Sequence, residues 1–193
     1  MKRLSNIIGF DDAPFPRDYT GDVAVAAAVY AGLRFDGVLI GAVEKDGTDA
    51  AARLTAMIRE SRFAGHAGLI MLQGIALAGF NVVDVFSLSS ATGLPVLVVS
   101  RVWPNMDAIK AALLSGGIPA GTEKWAVIEA LGPMEPVNGI YVQRVGVSAE
   151  QAADVIARFG IHSMIPEPVR TAHLIAGALA PNEQGIGESR GAP

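Results

Sequence analysis

Blocks of apolar positions, separated by polar or glycine-rich breaks, recur along the whole chain, and their lengths and periods predict its elements. Residues 5–11 form a short apolar run that predicts a first strand, and this run ends on two adjacent carboxylates, Asp11 and Asp12. The blocks DVAVAAAVYAG (22–32) and RFDGVLIGAVEKDG (34–47) predict two further strands joined by a tight connection, hence an antiparallel three-strand start. In 48–65, Leu54, Met57 and Ile58 fall at helical spacing behind Thr48, a fair N-cap. The continuous apolar runs 68–74 and 94–101 predict buried strands. Between them, 81–93 predicts a short helix capped by Asn81 and closed by Gly93. Helices are expected at 105–117, 121–132, 148–160 and 167–180, with a strand at 139–147. The order βββ-α-β-α-β-α-α-β-α-α predicts an α/β protein with a mixed sheet flanked by helices. No internal repeat or long linker divides the chain, so 1–193 reads as one domain with a Gly-rich polar tail, 181–193, as a mobile end.

Composition narrows the chemistry. With 51% hydrophobic and 18% charged residues the chain can bury a sizeable core. It has no cysteine, which excludes a disulfide framework, a thiolate metal site and a cysteine nucleophile. The net charge of −4 means that any nucleic-acid role must use a local basic patch or metal ions. The apolar run near the N-terminus is too short for a signal peptide, and the low-charge stretch 67–83 is broken by Gly68, Gln73, Gly74, Gly79 and Asn81. A soluble, cytoplasmic chain with no membrane partner is expected.

Several residues could carry chemistry. Asp11 and Asp12 point to opposite faces of the first strand by alternation, so at most one belongs to a given site. The cluster EKDGTDA (44–50) offers Asp46 and Asp49, which serve equally well as turn and helix-cap residues. In LQGIALAGFNVVD (72–84), Gln73 and Gly74 follow a buried strand. Phe80 can stack on a base or pack in the core, and Asp84 can ligate a metal or stabilise a helix start. Glu167, Arg170 and His173 share one helix face, either as a buried ion pair with a satisfied histidine or as contacts to a phosphate. Ser189 and Arg190 in the tail could join them. There is no Walker loop, dinucleotide fingerprint, Gly-x-Ser-x-Gly elbow or His-Glu-x-x-His pattern. Trp103 and Trp125 read as helix-packing residues.

Four segments together resemble one family: GFDDAPF, EKDGTDA, MLQGIALAGFNVVD with GLPVLVV, and IPEPVRTAHLIAGAL followed by GESRG. They span about Ile7 to Gly191 and are similar to the endonuclease dU family, known chiefly from archaea and related in fold to endonuclease V. The resemblance implies a ribonuclease H-like fold and a Mg²⁺- or Mn²⁺-dependent endonuclease acting on nucleic acid, DNA before RNA, that carries a deaminated base such as uracil or hypoxanthine. It places a metal ligand at Asp11. Asp46 and Asp49 would complete the shell as catalytic and metal-binding residues, with Asp84 as a further ligand. Gln73, Gly74, Phe80, Asn81 and Arg170 would bind substrate, and His173 would act beside them. The chain departs from the endonuclease V pattern at Gln73-Gly74, where Asp-Gly is expected. Two other readings stay open: a non-catalytic nucleic-acid- or nucleotide-binding protein on a nuclease-derived scaffold, and a structural homo-oligomer such as a homodimer.

Overall fold

A computed structural model describes residues 4–180. The expected tail, 181–193, with Ser189 and Arg190, lies outside the described residues. Strands β1 (Asn6–Asp12), β2 (Asp22–Ala31) and β3 (Arg34–Glu44) form the expected antiparallel start, followed by helix α1 (Ala50–Arg59) and strand β4 (Leu69–Gln73). Next come a small hairpin, β5 (Ala76–Leu77) and β6 (Asn81–Val82), helix α2 (Val85–Thr92) and strand β7 (Val96–Ser100). Helices α3 (Met106–Leu114) and α4 (Gly121–Leu131), strands β8 (Glu135–Val137) and β9 (Ile140–Val145), and helices α5 (Ala149–Phe159) and α6 (Glu167–Ala178) complete the order. Among these helices none is long and apolar enough to cross a membrane.

The main sheet has seven strands in the order β3-β2-β1-β4-β7-β9-β8. Its centre is parallel: β1 pairs with β4, and β4 with β7. Alternation along β1 splits its side chains between two cores. Ile8 and Phe10 face α1 and α2, packing with Leu54, Ile58, Val85 and Leu88. Ile7 faces α5 and α6, packing with Val155, Phe159, Val169 and Ala172. At Gly9, a Cβ would overlap the backbone of Pro168 and Val169, so glycine lets α6 lie directly on β1. This contact seats the last helix over the end of the first strand.

Residues 74–84 differ from the expected loop and helix. They fold as the β5–β6 hairpin, and α2 begins only at Val85. Gly74 and Gly79 have φ of 82° and 84°, and Ala78 has 48°, so the chain reverses here rather than winding into a helix. A third cluster, with Val82, Leu113 and Ile128 at its centre, joins this hairpin to α3 and α4.

Candidate active site

Asp11 and Gln73 lie at the carboxyl ends of adjacent parallel strands, each one residue past the paired Phe10 and Leu72. Ligands of open α/β sheets settle at such ends. Asp11 is 5% exposed. Its Oδ1 accepts from Asp12 N at 3.0 Å, and its Oδ2 lies 2.7 Å from His173 Nδ1. Burial, with the Asp12 charge beside it, pushes the Asp11 carboxyl up to about 6 against the hydrogen bond from His173. The His173 ring is open to solvent, with 62% of its side chain exposed. With Asp11 ionised and the ring in its neutral Nδ1–H form, Nδ1–H donates to the carboxylate and Nε2 carries the free lone pair.

His173 is carried by α6 together with Glu167 and Arg170. Glu167 is buried and receives both Arg170 Nε and Nη2 at 2.7 Å. His162 Nδ1 approaches the same carboxylate at 3.1 Å. The Arg170 fork holds Glu167 below the usual glutamate range and is itself raised by it. This arrangement contains the buried Glu–Arg pair, and it also fixes Arg170 at the rim of a cleft. That cleft, of about 480 Å³, is lined by Gln73, Ser100, Arg101, Arg170 and His173, with no carboxylate among its lining side chains. A second, more apolar pocket of about 280 Å³ adjoins it, walled by Phe80, Met106, Ile128 and Gln143. Gly74 and Ser100 border both.

The other acidic residues go elsewhere. Asp12 faces away from Asp11, and its Oδ2 accepts from Ala78 N at 2.9 Å; burial raises its pKa. Asp46, at φ 54°, accepts from Phe80 N at 2.7 Å, and its carboxylate occupies the space that a Cβ would need at Gly79. Asp49, rather than Thr48, is the N-cap residue of α1, although its carboxylate makes no cap bond there. Instead it accepts from Asn81 Nδ2 at 2.7 Å, from Arg53 Nε at 3.1 Å and from Glu44 N at 3.1 Å. Burial works to raise the Asp49 carboxyl, but these donors together bring it below the ordinary value. Asn81 is wholly buried in β6 and does not cap α2; its Nδ2 also donates to Glu44 O and its Oδ1 accepts from Ala50 N. Asp84 caps α2, accepting from Phe86 N, Ser87 N and Ser87 Oγ.

The expected shell of Asp11, Asp46, Asp49 and Asp84 therefore does not assemble. Among the described residues no three His, Asp or Glu side chains are grouped to hold a metal ion. Asp12, Asp46 and Asp49 form brackets around one hairpin, and that hairpin supplies Gly79 and Phe80 to the apolar pocket. Of the expected site residues, the structure gathers Gln73, Gly74, Arg170 and His173 along one cleft, with Asp11 bonded to His173 behind it. It adds Ser100 and Arg101, which the sequence reading did not single out; their position at the carboxyl end of the buried run 94–101 was the available signal.

Comparison with known proteins gives this arrangement its setting. A protein of the UPF0215 group from Deinococcus radiodurans is 50% identical over 177 residues, covering 92% of this chain and 90% of its own. The crystal structure of a protein of unknown function from Archaeoglobus fulgidus superposes with a TM-score of 0.84 at 31% identity, covering 91% of this chain and 98% of its own. Endonuclease V of Ciona intestinalis, solved with a 23mer DNA containing an inosine, superposes with a TM-score of 0.58 at 13% identity, covering 91% of this chain and 85% of that one. This likeness identifies the ribonuclease H-like fold. The endonuclease dU family model matches residues 3–180, which takes in the strand ends, the bracketed hairpin and helix α6, and the chain is a member of that family.

Proposed function

We propose that this protein is a nuclease-like hydrolase that cleaves a phosphodiester of nucleic acid, DNA before RNA, beside a deaminated base such as uracil or hypoxanthine. The observation that carries the reading is the Asp11–His173 pair at the carboxyl end of the central parallel strands, behind a cleft bordered by two arginines. The inosine-containing DNA bound by an endonuclease V of the same fold supports the choice of substrate.

In this reading the phosphate enters the cleft and meets the positive charges of Arg170 and Arg101. His173 Nε2 takes a proton from the attacking water as its oxygen bonds to phosphorus and the P–O bond to the departing sugar oxygen breaks, that oxygen leaving with a proton from solvent, while Asp11 orients the ring through Nδ1 and stabilises the imidazolium that forms. Glu167 holds the Arg170 fork in place. The base leaves its stack and enters the apolar pocket, against Phe80 and within reach of the Gln143 amide.

The donor set fits Mg²⁺ or Mn²⁺ only in a shared form. Asp11 is a buried carboxylate whose charge is poorly offset, which a cation would correct, and Gln73 is a neutral amide at the neighbouring strand end. Mg²⁺ accepts one or two carboxylates when substrate phosphates and water complete its shell. Asp11, assisted by Gln73, would hold such an ion, which supplies Lewis-acid polarisation of the phosphate.

The test is a cleavage screen of uracil-, hypoxanthine- and undamaged DNA and RNA with Mg²⁺ or Mn²⁺, for wild type and Asp11→Asn. Cleavage of a deaminated substrate by wild type alone is expected. Equal cleavage by the variant would remove Asp11 from the mechanism. Binding without cleavage would favour the second reading, a non-catalytic nucleic-acid-binding protein, which the neutral Gln73 and the missing acidic shell recommend. A homodimer through edge strand β3, where Phe35 and Ile40 are exposed, is checked by sedimentation of the same samples.

A further inference from the structure

The loop that follows β7, residues 101–105, forms the partition between the cleft and the apolar pocket. Ser100 borders both cavities, Val102 lines the cleft, and Pro104 lines the pocket. Between these two stands Trp103, which the sequence places among helix-packing residues. It is not one: it lies in the loop and is 54% exposed. Its indole is nonetheless ordered by contact, meeting the Tyr141 ring edge-to-face at 90° and 5.3 Å between centroids. Tyr141 is fixed in turn, since it sits on β9 opposite Ser100. The far end of the loop is pinned by Asn105, whose side chain accepts from Ala108 N at 3.0 Å to cap α3. An exposed tryptophan on a loop anchored at both ends is a rigid apolar surface held in water, an arrangement that a packing role does not require.

The surroundings indicate what covers it. Arg101, two residues before Trp103, is exposed, lines the cleft and makes no ion pair among the described residues. The cleft wall carries arginine but no carboxylate, although the chain as a whole is acidic. A cationic side chain next to an upright aromatic ring, on the wall between a polar cleft and an apolar pocket, matches a polyanion bearing flat apolar groups. Single-stranded nucleic acid has that chemistry: its bases stack on aromatic rings while its phosphates pair with arginine.

We infer that Trp103 is a stacking platform for a base next to the one that enters the pocket, and that Arg101 binds the phosphate between them. The platform compensates the neighbouring base for the stack lost when its partner swings out. This rests on the nucleic-acid reading above, in which Arg101 already meets phosphate in the cleft, and adds Trp103, which lies outside the Asp11–His173 centre.

The test uses the full chain and a single-stranded dT oligonucleotide. In a Trp125→Phe background Trp103 is the remaining tryptophan, and its fluorescence is expected to quench on binding. Trp103→Ala should weaken binding about tenfold, the loss of one base–aromatic stack, and Trp103→Phe should recover most of it. Arg101→Gln should reduce the slope of log affinity against log salt by about 0.7. Thermal melts of each variant confirm folding. Equal affinity of Trp103→Ala and wild type, or equal quenching by an abasic strand, overturns the platform while leaving the nuclease reading intact. Absence of binding by wild type to any strand overturns both. A Trp103→Ala effect on self-association instead of on binding assigns the ring to a contact between copies and also overturns the inference.

Discussion

His173 Nδ1 lies 2.7 Å from Asp11 Oδ2 although 162 residues separate them in the chain. The contact exists because Gly9 lets α6 lie on β1, so that a residue of the last helix reaches the end of the first strand. It joins a buried acid to an exposed base, and the first prediction below follows from that asymmetry.

The first concerns stability against pH. Asp11 takes up its proton near pH 6 in the folded chain, against 3.8 for an ordinary aspartate. The folded state therefore binds more protons than the unfolded state between those values, and stability falls as pH rises through that window. Ionised Asp11 costs about 3 kcal/mol above pH 6. Asp11→Asn should raise the denaturation midpoint at pH 8, and the gain should shrink towards pH 4; urea melts at both pH values measure it. A variant that is less stable at pH 8 would mean that the carboxylate is fully compensated.

The second concerns Gly9. Gly9→Ala forces α6 away from β1 and should destabilise the fold by about 3 kcal/mol, the upper part of the usual overpacking range. It should also separate His173 from Asp11, which the His173 imidazole resonances would report by NMR. An unchanged melt would contradict the packing described.

The third assigns Asn81 and Asp49 to holding the β5–β6 hairpin rather than to the cleft. Asn81→Ala leaves Ala50 N and Glu44 O without their buried partner and should cost about 3 kcal/mol. Asp49→Asn should cost about 1 kcal/mol, through weaker acceptance from Asn81 and Arg53. Neither should change nucleic-acid affinity once folding is corrected for, as fluorescence-anisotropy titration would show.

The fourth concerns Arg170. Arg170→Met strips buried Glu167 of its bidentate partner and should destabilise by about 3 kcal/mol. Arg170 holds the Glu167 carboxyl low, so the stabilisation it gives is present above the ordinary glutamate value of 4.5 and disappears as pH falls through the lower folded value. The melts of variant and wild type should therefore converge in acid.

How much of this was legible in the sequence depends on where the determining contact lies. Local signals sufficed for the three opening strands, for the buried strands 68–74 and 94–101, and for the capping box of α5, where Ser148 and Gln151 bond reciprocally. Strand β8 was missed although Asn138-Gly139, with φ of 47° and 85°, is the turn signal of a tight hairpin. The opposite faces of Asp11 and Asp12 followed from strand alternation. The destinations of Asp46, Asp49 and Asn81 did not, because each is set by a bond to a residue about 30 positions away. An acidic cluster that resembles a metal shell and one that brackets a hairpin have the same composition, and only the tertiary fold separates them. The Gln73 departure was the one local sign that the expected shell is incomplete.

The measurement that tests the central claim most directly compares Asp11→Asn with Asp49→Asn, both verified as folded, in cleavage of a uracil- or hypoxanthine-containing strand with Mg²⁺ or Mn²⁺. The account predicts loss of cleavage by at least about a hundredfold in Asp11→Asn and wild-type cleavage in Asp49→Asn. Equal loss in both variants would restore the acidic shell that the structure disperses, and full activity in Asp11→Asn would contradict the account outright.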